Sequence, residues 1–459
     1  MFCPRARRAI GYKTGIRTRS VTYNTSFYIG GIIMARKRTL LIPAMVLGTM
    51  LVSASAFAAV SVEENADSAT GYTVSFSFED PNAVNVQVMG SFDFSLASDE
   101  KTYAGGYNLE EGESAADYYV GPEDWTADAD LWHISDASCI RDMENADGVW
   151  TYSVDLPGGS YLYKFKVTYD GEIYQDLTDP DNVADCNRYG SHQDRSQFYV
   201  PYVEEKQNPN DDFTWLSPAE EGARGTRIHL AYPSADERTK NTEIYLPAGY
   251  DADREEPYKV LYLSHGGGGE EGDWIYQGNA GNILDRLVAE GSCEPFIIVA
   301  MNNTVFSWDY DAIFENTKDY LIPYIEAHYN VSTEPAGRAF AGLSMGGMTT
   351  SEMFYRDPAL FGYFGVFSGA STAAFPVLDD YSAYEAPQMY LAAGWADMAL
   401  LNNSYQTDTD RTLQGFADKL DELGIAYNGG NGIYLVQGSH DWFTWPQIIK
   451  DYFANYLWK

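Results

Sequence analysis

The sequence predicts a multidomain chain in which an all-β sandwich precedes an α/β domain with a mainly parallel sheet. Short alternating strands fill the region from Tyr72 to Tyr202, and buried strands alternate with helices from residue 223 onward. A polar, charged segment, residues 204–222, separates the two regions and is expected to be a linker. A length of 459 residues exceeds the usual size of a single domain, so two domains are expected.

The first 58 residues are expected to be a leader. A basic run from Met34 to Arg38 precedes an apolar stretch that ends in small residues before Ala59, which is the pattern of a secretory signal peptide. We therefore expect translation to start at Met34, a signal peptide over residues 34–58, and a secreted protein, either extracellular or periplasmic. A transmembrane anchor is the alternative, and Pro43 with several Ser and Thr residues argues against it.

The mature chain is expected to be strongly acidic. The whole sequence has a net charge of −36, and residues 1–58 hold nine of its 30 Lys and Arg residues and none of its 66 acids, which leaves 21 − 66 = −45. Such a surface repels nucleic acids and anionic membranes, so neither is an expected partner. The sequence leaves open whether Cys139 and Cys186 form a disulfide after export.

Residues 59–203 are expected to form the sandwich. Apolar residues alternate with polar ones over Thr73–Phe78, Val84–Met89, Trp150–Val154 and Tyr161–Val167. Turns rich in Gly, Pro and Asp-Gly separate these stretches, as is typical of antiparallel, immunoglobulin-like sandwiches.

This half resembles the early-set modules of the carbohydrate-binding family 48 type. The resemblance rests on Met89–Phe92, Gly148–Trp150, Pro157–Phe165 and Asp179–Asn182. The stretch from Leu96 to Asp147 is longer than that pattern expects. The resemblance implies a carbohydrate-binding-like domain in which Trp125 or Trp132 stacks on sugar rings, but we favour the alternative that both pack the insertion.

Residues 223–459 are expected to form the α/β domain. Its apolar strands are predicted at Thr226–Ala231, Thr242–Leu246, Lys259–Leu263, Phe296–Ala300, Ala339–Leu343, Tyr363–Phe367, Met389–Ala393 and Ile433–Val436. The first two would form an antiparallel pair, and a helix is expected over residues 311–328. This is the plan of the α/β-hydrolase fold, in which loops at the carboxyl ends of the strands carry the active site.

The segment Gly342-Leu343-Ser344-Met345-Gly346 reads as a nucleophile elbow, the strained turn that exposes a serine hydroxyl between a strand and a helix. The pentapeptide alone is a weak signal, but a short apolar run precedes it and a helical pattern follows it. The sequence therefore predicts Ser344 as the nucleophile of an acyl transfer.

A serine hydroxyl needs a base to take its proton and a carboxylate to orient that base. His440 is the only one of the six histidines that follows the elbow, and it comes directly after a predicted strand. Asp397 follows the strand before it, which gives the order Ser344, Asp397, His440 expected in this fold. These three residues are the predicted catalytic triad.

The oxyanion of the tetrahedral intermediate needs backbone N–H donors. Met345 follows the nucleophile, and the glycine loop His265–Gly269 follows a predicted strand, so we expect donors at Met345 and Gly267, with Gly266 as the second choice from the loop. The loop lacks the Gly-Lys-Ser/Thr ending of a phosphate-binding loop. No metal and no cofactor are expected.

Together these motifs resemble those of carbohydrate esterase family 1, which includes feruloyl esterases, acetyl xylan esterases and the esterase D-like S-formylglutathione hydrolases. The resemblance covers nearly all of residues 223–459, and it maps Ser344, Asp397 and His440 onto the triad of that family. It rests on Ile244–Tyr250, Leu261–Gly268 with Trp274, Gly342–Gly347, Gly394–Asp397 and Gly438–Trp442 with Trp445.

The resemblance implies a carboxylic ester hydrolase that releases feruloyl and other hydroxycinnamoyl groups from xylan-type plant cell-wall polysaccharide, with feruloylated arabinoxylan as its substrate. Aromatic residues in loops after the strands are candidates for substrate binding: Trp274, Tyr276, Trp308 and Trp395. Acetyl xylan esterase, siderophore esterase of the enterochelin type and non-catalytic polysaccharide-binding protein remain alternatives, because no residue pattern identifies the acyl group.

Overall fold

The computed structural model describes residues 57–96, 119–129, 131–134, 139–170, 172–182, 195–235, 238–371, 388–400 and 412–459. These residues belong to one compact unit. The predicted leader, apart from its last two residues, and Cys186 lie outside them. Within the described ranges, no helix combines the length and the apolar character needed to cross a membrane.

The N-terminal part of the described chain consists of antiparallel strands. They are β1 (Phe57–Glu64), β2 (Tyr72–Glu79), β3 (Asn85–Gly90), β4 (Phe94–Leu96), β5 (Tyr119–Val120), β6 (Leu131–His133), β7 (Cys139–Asp142), β8 (Glu144–Ala146), β9 (Val149–Asp155), β10 (Gly159–Tyr169), β11 (Glu172–Leu177) and β12 (Ser196–Val200). One sheet has the order β1-β2-β9-β8, and a second has the order β11-β10-β3-β7 with β12 also paired to β10. The strands β5, β4 and β6 form a third, small sheet.

The two larger sheets share one hydrophobic core, because alternate side chains of each strand point inward. Phe76 and Phe78 of β2 contribute from one sheet, and Val88 and Phe165 contribute from the other. Trp125 is buried in this core, which supports the packing role that we favoured for it. Cys139 is also buried here, and Cys186, the residue with which a disulfide was left open, lies outside the described residues.

In the C-terminal part, the described residues form one eight-stranded sheet. Its strands are β13 (Thr226–Pro233), β14 (Thr239–Leu246), β15 (Val260–Ser264), β16 (Ile297–Met301), β17 (Arg338–Leu343), β18 (Tyr363–Phe367), β19 (Gln388–Gly394) and β20 (Tyr434–Val436). The order is β13-β14-β16-β15-β17-β18-β19-β20. The pairs β13–β14 and β14–β16 are antiparallel, and the remaining pairs are parallel, as the α/β-hydrolase plan predicts.

Helices cover both faces of this sheet, so its central strands are buried along their whole length. The helices are α1 (Asp273–Tyr276), α2 (Ala280–Ala289), α3 (Tyr310–Asn316), α4 (Ile322–His328), α5 (Met345–Arg356), α6 (Leu413–Leu423) and α7 (Thr444–Asp451). The helix expected over residues 311–328 is divided by a π-helical turn at Thr317–Leu321. Pro323 follows this turn, and its missing N–H explains why the regular ladder is interrupted here.

The segment expected as a linker packs against both parts. Gln207 accepts a hydrogen bond from Gly158 N over 2.8 Å and donates one to Thr70 O over 2.6 Å. Further along, Phe213 and Leu216 are buried in the core of the α/β part. The composition of residues 204–222 did not predict this packing, and the bounds of the linker stay a prediction.

Candidate active site

Ser344 lies on the turn between β17 and α5, with φ 53° and ψ −118°. A positive φ is strained for a residue other than glycine, and this strain is typical of a nucleophile elbow. The turn requires glycine next to it, since a Cβ on Gly346 would lie 2.5 Å from the carbonyl oxygens of Ser264 and His265. Ser344 is partly exposed.

The three residues of the predicted triad lie next to one another in the structure. His440 Nε2 lies 2.9 Å from Ser344 Oγ, and His440 Nδ1 lies 2.9 Å from Asp397 Oδ1. When Nδ1–H donates to the carboxylate, Nε2 is left as the acceptor for the serine proton. The loops after β17, β19 and β20 thus bring together the residues that chain order alone had suggested.

The electrostatics of this pair favour an ionised Asp397 and a basic His440. Burial alone would raise the pKa of Asp397, but the charge and hydrogen bond of His440, together with the amide of Ala399, hold that pKa below its ordinary value. Burial would lower the pKa of His440, but Asp397 and, to a smaller extent, Asp441 raise it above its ordinary value. The imidazole therefore binds the serine proton more readily than a free histidine would.

Asp441 serves the loop that carries His440. Its Oδ1 accepts hydrogen bonds from Phe443 N and from Thr444 N and Oγ1, each over 3.1 Å. These bonds satisfy amides at the start of α7, which have no partner within the helix. The carboxylate beside the base is therefore a helix-capping group, and Asp397 is the one that contacts the imidazole.

Ser368 is a site residue that the sequence analysis missed. It follows β18 directly with a φ of 53°, and its hydroxyl faces the Asp397 carboxylate and helps to hold the pKa of Asp397 low. The ring of Trp445 stands edge-on to His440, with centroids 5.3 Å apart. A Ser-Gly pair directly after a buried strand was the available signal, because it lies at the edge of the sheet where catalytic loops occur.

Gly266 and Gly267 lie beside the elbow. A Cβ on Gly266 would lie 3.2 Å from Ser344 Cβ, and a Cβ on Gly267 would lie 2.8 Å from Met345 Sδ. The loop after β15 and the first residue of α5 therefore face each other, as an oxyanion site built from two backbone amides requires. The choice of Met345 and Gly267 as donors, with Gly266 second, stays a prediction.

His265 anchors this glycine loop. Its Nδ1 lies 2.6 Å from Gly266 O, and its Nε2 lies 3.1 Å from Asn303 N. A backbone N–H can only donate, so Nε2 is the acceptor and Nδ1 carries the proton. Burial lowers the pKa of His265 to about 4, which keeps the ring neutral at pH 7. The histidine therefore fixes the position of the loop and does not act as a second base.

Two of the predicted substrate-binding residues support or flank the glycine loop. Trp274 is buried, and its indole donates a hydrogen bond to Ser264 O over 2.8 Å, so it lies beneath the loop. Trp308 is half-buried and stands edge-on to His265, with ring centroids 5.6 Å apart. Their positions fit a role in holding the oxyanion loop.

The other two predicted substrate-binding residues are more open. Tyr276 is half-buried at the end of α1, with the guanidinium of Arg227 over its ring at 5.9 Å. Trp395 is 42% exposed and lies two residues before Asp397, so it presents aromatic surface near the predicted triad. Of the four candidates, Trp395 is the one whose position best suits contact with a substrate.

Acyl transfer through a serine requires a nucleophile, a base, a carboxylate that orients the base, and two backbone segments that face the oxyanion. The predicted site contains a candidate for each of these. The geometry suits attack on an ester or a related acyl compound. It does not by itself identify the acyl group.

Comparisons with known proteins agree with this chemistry. Residues 234–450 match the model of the family described as putative esterase. An endo-1,4-beta-xylanase/feruloyl esterase from Xylanibacter ruminicola is 26% identical over 318 residues, which cover 67% of this chain and 40% of that protein. The chain therefore spans well under two thirds of this relative's length.

Solved structures similar to this chain include two esterases. A ferulic acid esterase of family CE1 from Anaeromyces mucronatus is 21% identical, and the match covers 54% of this chain and 94% of that one with a TM-score of 0.44. The enterobactin esterase of Shigella flexneri is 15% identical, and its match covers 88% of this chain and 95% of that one with a TM-score of 0.47. The segment that matches the family model, residues 234–450, contains all three residues of the predicted triad, and this match supports a carboxylic ester hydrolase.

Proposed function

We propose that this protein is a secreted serine esterase that cleaves feruloyl and related hydroxycinnamoyl esters from xylan-type plant cell-wall polysaccharide, such as feruloylated arabinoxylan. The observation that carries the catalytic part is the position of His440, whose two ring nitrogens lie 2.9 Å from Ser344 Oγ and 2.9 Å from Asp397 Oδ1. The substrate is suggested by the relative from Xylanibacter ruminicola, which is named a xylanase and feruloyl esterase.

In the acylation step, Ser344 Oγ attacks the ester carbonyl carbon while His440 Nε2 takes the hydroxyl proton. The carbonyl oxygen becomes an oxyanion, which the amides of Met345 and of Gly267 or Gly266 would stabilise. The bond to the sugar oxygen then breaks, and the imidazolium returns its proton to that oxygen. The sugar leaves as an alcohol, and the acyl group stays on Ser344.

In the deacylation step, His440 takes a proton from water, and the resulting hydroxide attacks the acyl-enzyme. The second tetrahedral intermediate collapses when Ser344 Oγ leaves with the proton from His440, and the carboxylic acid is released. Asp397 stays ionised throughout and stabilises the imidazolium, in keeping with the lowered pKa of its carboxyl. The cycle consumes one ester and one water and restores the free enzyme.

The exposed aromatic surface at the site supports an aryl acyl group or a sugar as the binding partner. Trp395 is 42% exposed and lies two residues before Asp397. Its indole face is a surface on which a phenolic ring or a pyranose can pack. Because either ligand fits this description, the acyl group has to be identified by experiment.

Parallel hydrolysis of methyl ferulate, feruloylated arabinoxylan, acetylated xylan and a catecholate siderophore tests the proposal. We expect ferulic acid to be released from the first two substrates, and little acid or catechol from the last two. Ser344→Ala should reduce turnover by about a million-fold, because the triad acts as a unit. Release of acetate alone, or of siderophore fragments alone, would replace the proposed substrate with that alternative, and full activity of Ser344→Ala would refute the mechanism.

A further inference from the structure

The strand β6 of the N-terminal part lies against the two loops that carry the catalytic acid and base. We call Trp395–Asp397 the acid loop and Gln437–Phe443 the base loop. The indole of Trp132, in β6, stands edge-on to that of Trp395, with centroids 4.9 Å apart and planes at 88°. Trp132 is only 4% exposed, and it forms a small hydrophobic cluster with one residue from each loop, Ala396 and Phe443.

The next residue of β6 makes a second contact with the base loop. The ring of His133 is nearly parallel to that of Phe443, with centroids 5.6 Å apart and planes at 12°. From the other side, His133 Nε2 lies 3.6 Å from Asp211 Oδ1, and the ring stands edge-on to Phe213 at 5.1 Å. His133 is thus enclosed between the base loop and the segment that joins the two parts of the chain.

The two loops are connected to each other at the same place. Ala396 N donates a hydrogen bond to Gly438 O over 3.1 Å, and Trp395 N donates one to Val436 O over 2.9 Å. Ala396, on which Trp132 packs, directly precedes Asp397 in the chain and is hydrogen-bonded to the base loop. A shift of β6 would therefore move both loops together.

We propose that the N-terminal part is a component of the catalytic machinery, in which Trp132 and His133 are positioning residues that hold Asp397 and His440 in register with Ser344. The proposal rests on the esterase function proposed above, because it concerns how the same triad is held. Neither side chain touches the reacting atoms; each acts through the loop on which it packs.

This assigns to the N-terminal part a role that differs from recognition of polysaccharide. If β6 only helped to bind a polymer, its loss would weaken hydrolysis of the polymer and leave small soluble esters unaffected. If β6 positions the triad, every ester is affected, because a small displacement of catalytic groups reduces the rate regardless of the substrate. The size of the substrate therefore separates the two roles.

The test compares three variants of the full chain: Trp132→Ala, Trp132→Phe and Trp125→Ala. Trp125 is the matched control, since it is also a buried tryptophan of the N-terminal part but belongs to the hydrophobic core of the sandwich. For each variant, kcat and KM are measured on p-nitrophenyl acetate, together with the rate at which a fluorophosphonate probe labels Ser344. Circular dichroism and thermal melting establish that each variant is folded.

We expect Trp132→Ala to lower kcat and the labelling rate by about 10- to 100-fold while KM changes little, as a misplacement of catalytic groups would. Trp132→Phe keeps an aromatic ring against Trp395 and should recover most of both rates, whereas Trp125→Ala should retain both. Unchanged rates in folded Trp132→Ala, or an equal loss in Trp125→Ala, would overturn the proposal. If Trp132→Ala does not fold, unchanged rates in Trp132→Leu, which keeps bulk but no ring, would also overturn it.

The labelling rate tests the positioning role independently of the substrate assignment, because the probe reacts with Ser344 whatever the natural ester is. A wild-type protein that reacts rapidly with the probe but releases no ferulic acid would disprove the substrate assignment. In that case the comparison between Trp132→Ala and Trp125→Ala would still test whether β6 positions the triad. When feruloylated arabinoxylan is assayed beside p-nitrophenyl acetate, a loss of activity confined to the polymer would overturn the positioning role.

Discussion

Trp445 Nε1 donates a hydrogen bond to the hydroxyl of Ser368 across 3.0 Å. Because the indole N–H can only donate, the Ser368 oxygen acts as the acceptor, and its own proton is free to point elsewhere. The hydroxyl faces Asp397, whose carboxylate also accepts the N–H of Ala399 over 2.8 Å. A tryptophan of α7 thus contacts the serine that faces Asp397, the predicted catalytic acid.

We expect Ser368→Ala to lower kcat by about tenfold, because the Ser368 hydroxyl helps to hold the pKa of Asp397 low, and a favourable interaction with a charged group contributes about 1.5–3 kcal/mol, of which only part bears on the transition state. The matched control is Ser371→Ala, which removes a hydroxyl bound to the carboxylate of Glu352 over 2.6 Å, away from the triad. Steady-state kinetics on a soluble ester measure the effect. Equal rates for both variants would mean that Ser368 has no role in orienting Asp397.

Asp397→Asn should reduce kcat by about ten-thousand-fold, because an amide does not enforce the correct tautomer of His440. It should also change the pH profile. The base must be neutral, so kcat/KM rises as the pH passes upward through the pKa of His440, which Asp397 raises against the effect of burial. Loss of the negative charge lowers this pKa, and the rise in kcat/KM should therefore move to lower pH.

The control for this shift is Asp441→Asn. The amide oxygen can still accept the N–H groups of Phe443 and Thr444, so the base loop should stay in place. Asp441 contributes less than Asp397 to the raised pKa of His440, so the profile should move to lower pH by a smaller amount. A larger shift in Asp441→Asn than in Asp397→Asn would contradict the assignment of Asp397 as the acid.

Glycines around the elbow should differ sharply in their tolerance of alanine. In Gly346→Ala the new methyl would lie 2.5 Å from two backbone oxygens, so the elbow must distort, at a cost of about 1–3 kcal/mol or more. In Gly267→Ala the nearest atom is Met345 Sδ at 2.8 Å, which is the far end of a flexible side chain. We expect thermal melting to show a clear loss of stability for Gly346→Ala and a much smaller one for Gly267→Ala. Equal melting temperatures would show that the elbow accommodates a methyl group.

Most of the α/β part could be predicted from the sequence because its central strands are continuous apolar runs. The run predicted at Lys259–Leu263 is the strand Val260–Ser264, and the run predicted at Phe296–Ala300 is the strand Ile297–Met301. In contrast, the strands β4 to β8 were not predicted. The strand β4 ends at Leu96, where the insertion begins, and β5 to β8 lie within the insertion. These strands have two to four residues, which is too short to show alternation, and they form by pairing with distant neighbours.

The triad could be proposed because each of its residues follows a strand of a parallel sheet, so chain order implies proximity. The contacts that hold the triad in place could not be predicted from the sequence. Ser368 lies beside Asp397 only because Trp445 and the end of β18 meet there. Likewise, Trp132 packs on Trp395 across the two halves of the chain, and no periodicity in the sequence relates such distant residues.

Asp273 lies under the glycine loop, and its ionisation makes a separate prediction about stability. The residue is 2% exposed, and its Oδ2 accepts the N–H of Glu270 over 3.1 Å. Burial raises the pKa of Asp273 to about 7, and the nearby charge of Glu271 adds to this, although the Glu270 amide opposes it. The native state therefore holds a proton that the unfolded state releases near pH 4.

Because the native state binds this proton more tightly, Asp273 should make the free energy of unfolding fall as the pH rises from about 4 to about 7, by on the order of 4 kcal/mol. Asp273→Asn keeps a neutral side chain of the same shape and should remove this fall. His265, whose pKa is lowered to about 4, acts in the opposite direction over part of the same range, but its contribution is common to both proteins. Between pH 4 and pH 8, the melting temperature of Asp273→Asn should therefore rise relative to that of wild type as the pH rises. The melting temperature of the exposed control Asp253→Asn should differ from that of wild type by a constant amount. A constant difference between Asp273→Asn and wild type would show that Asp273 is ionised in the folded protein across this range.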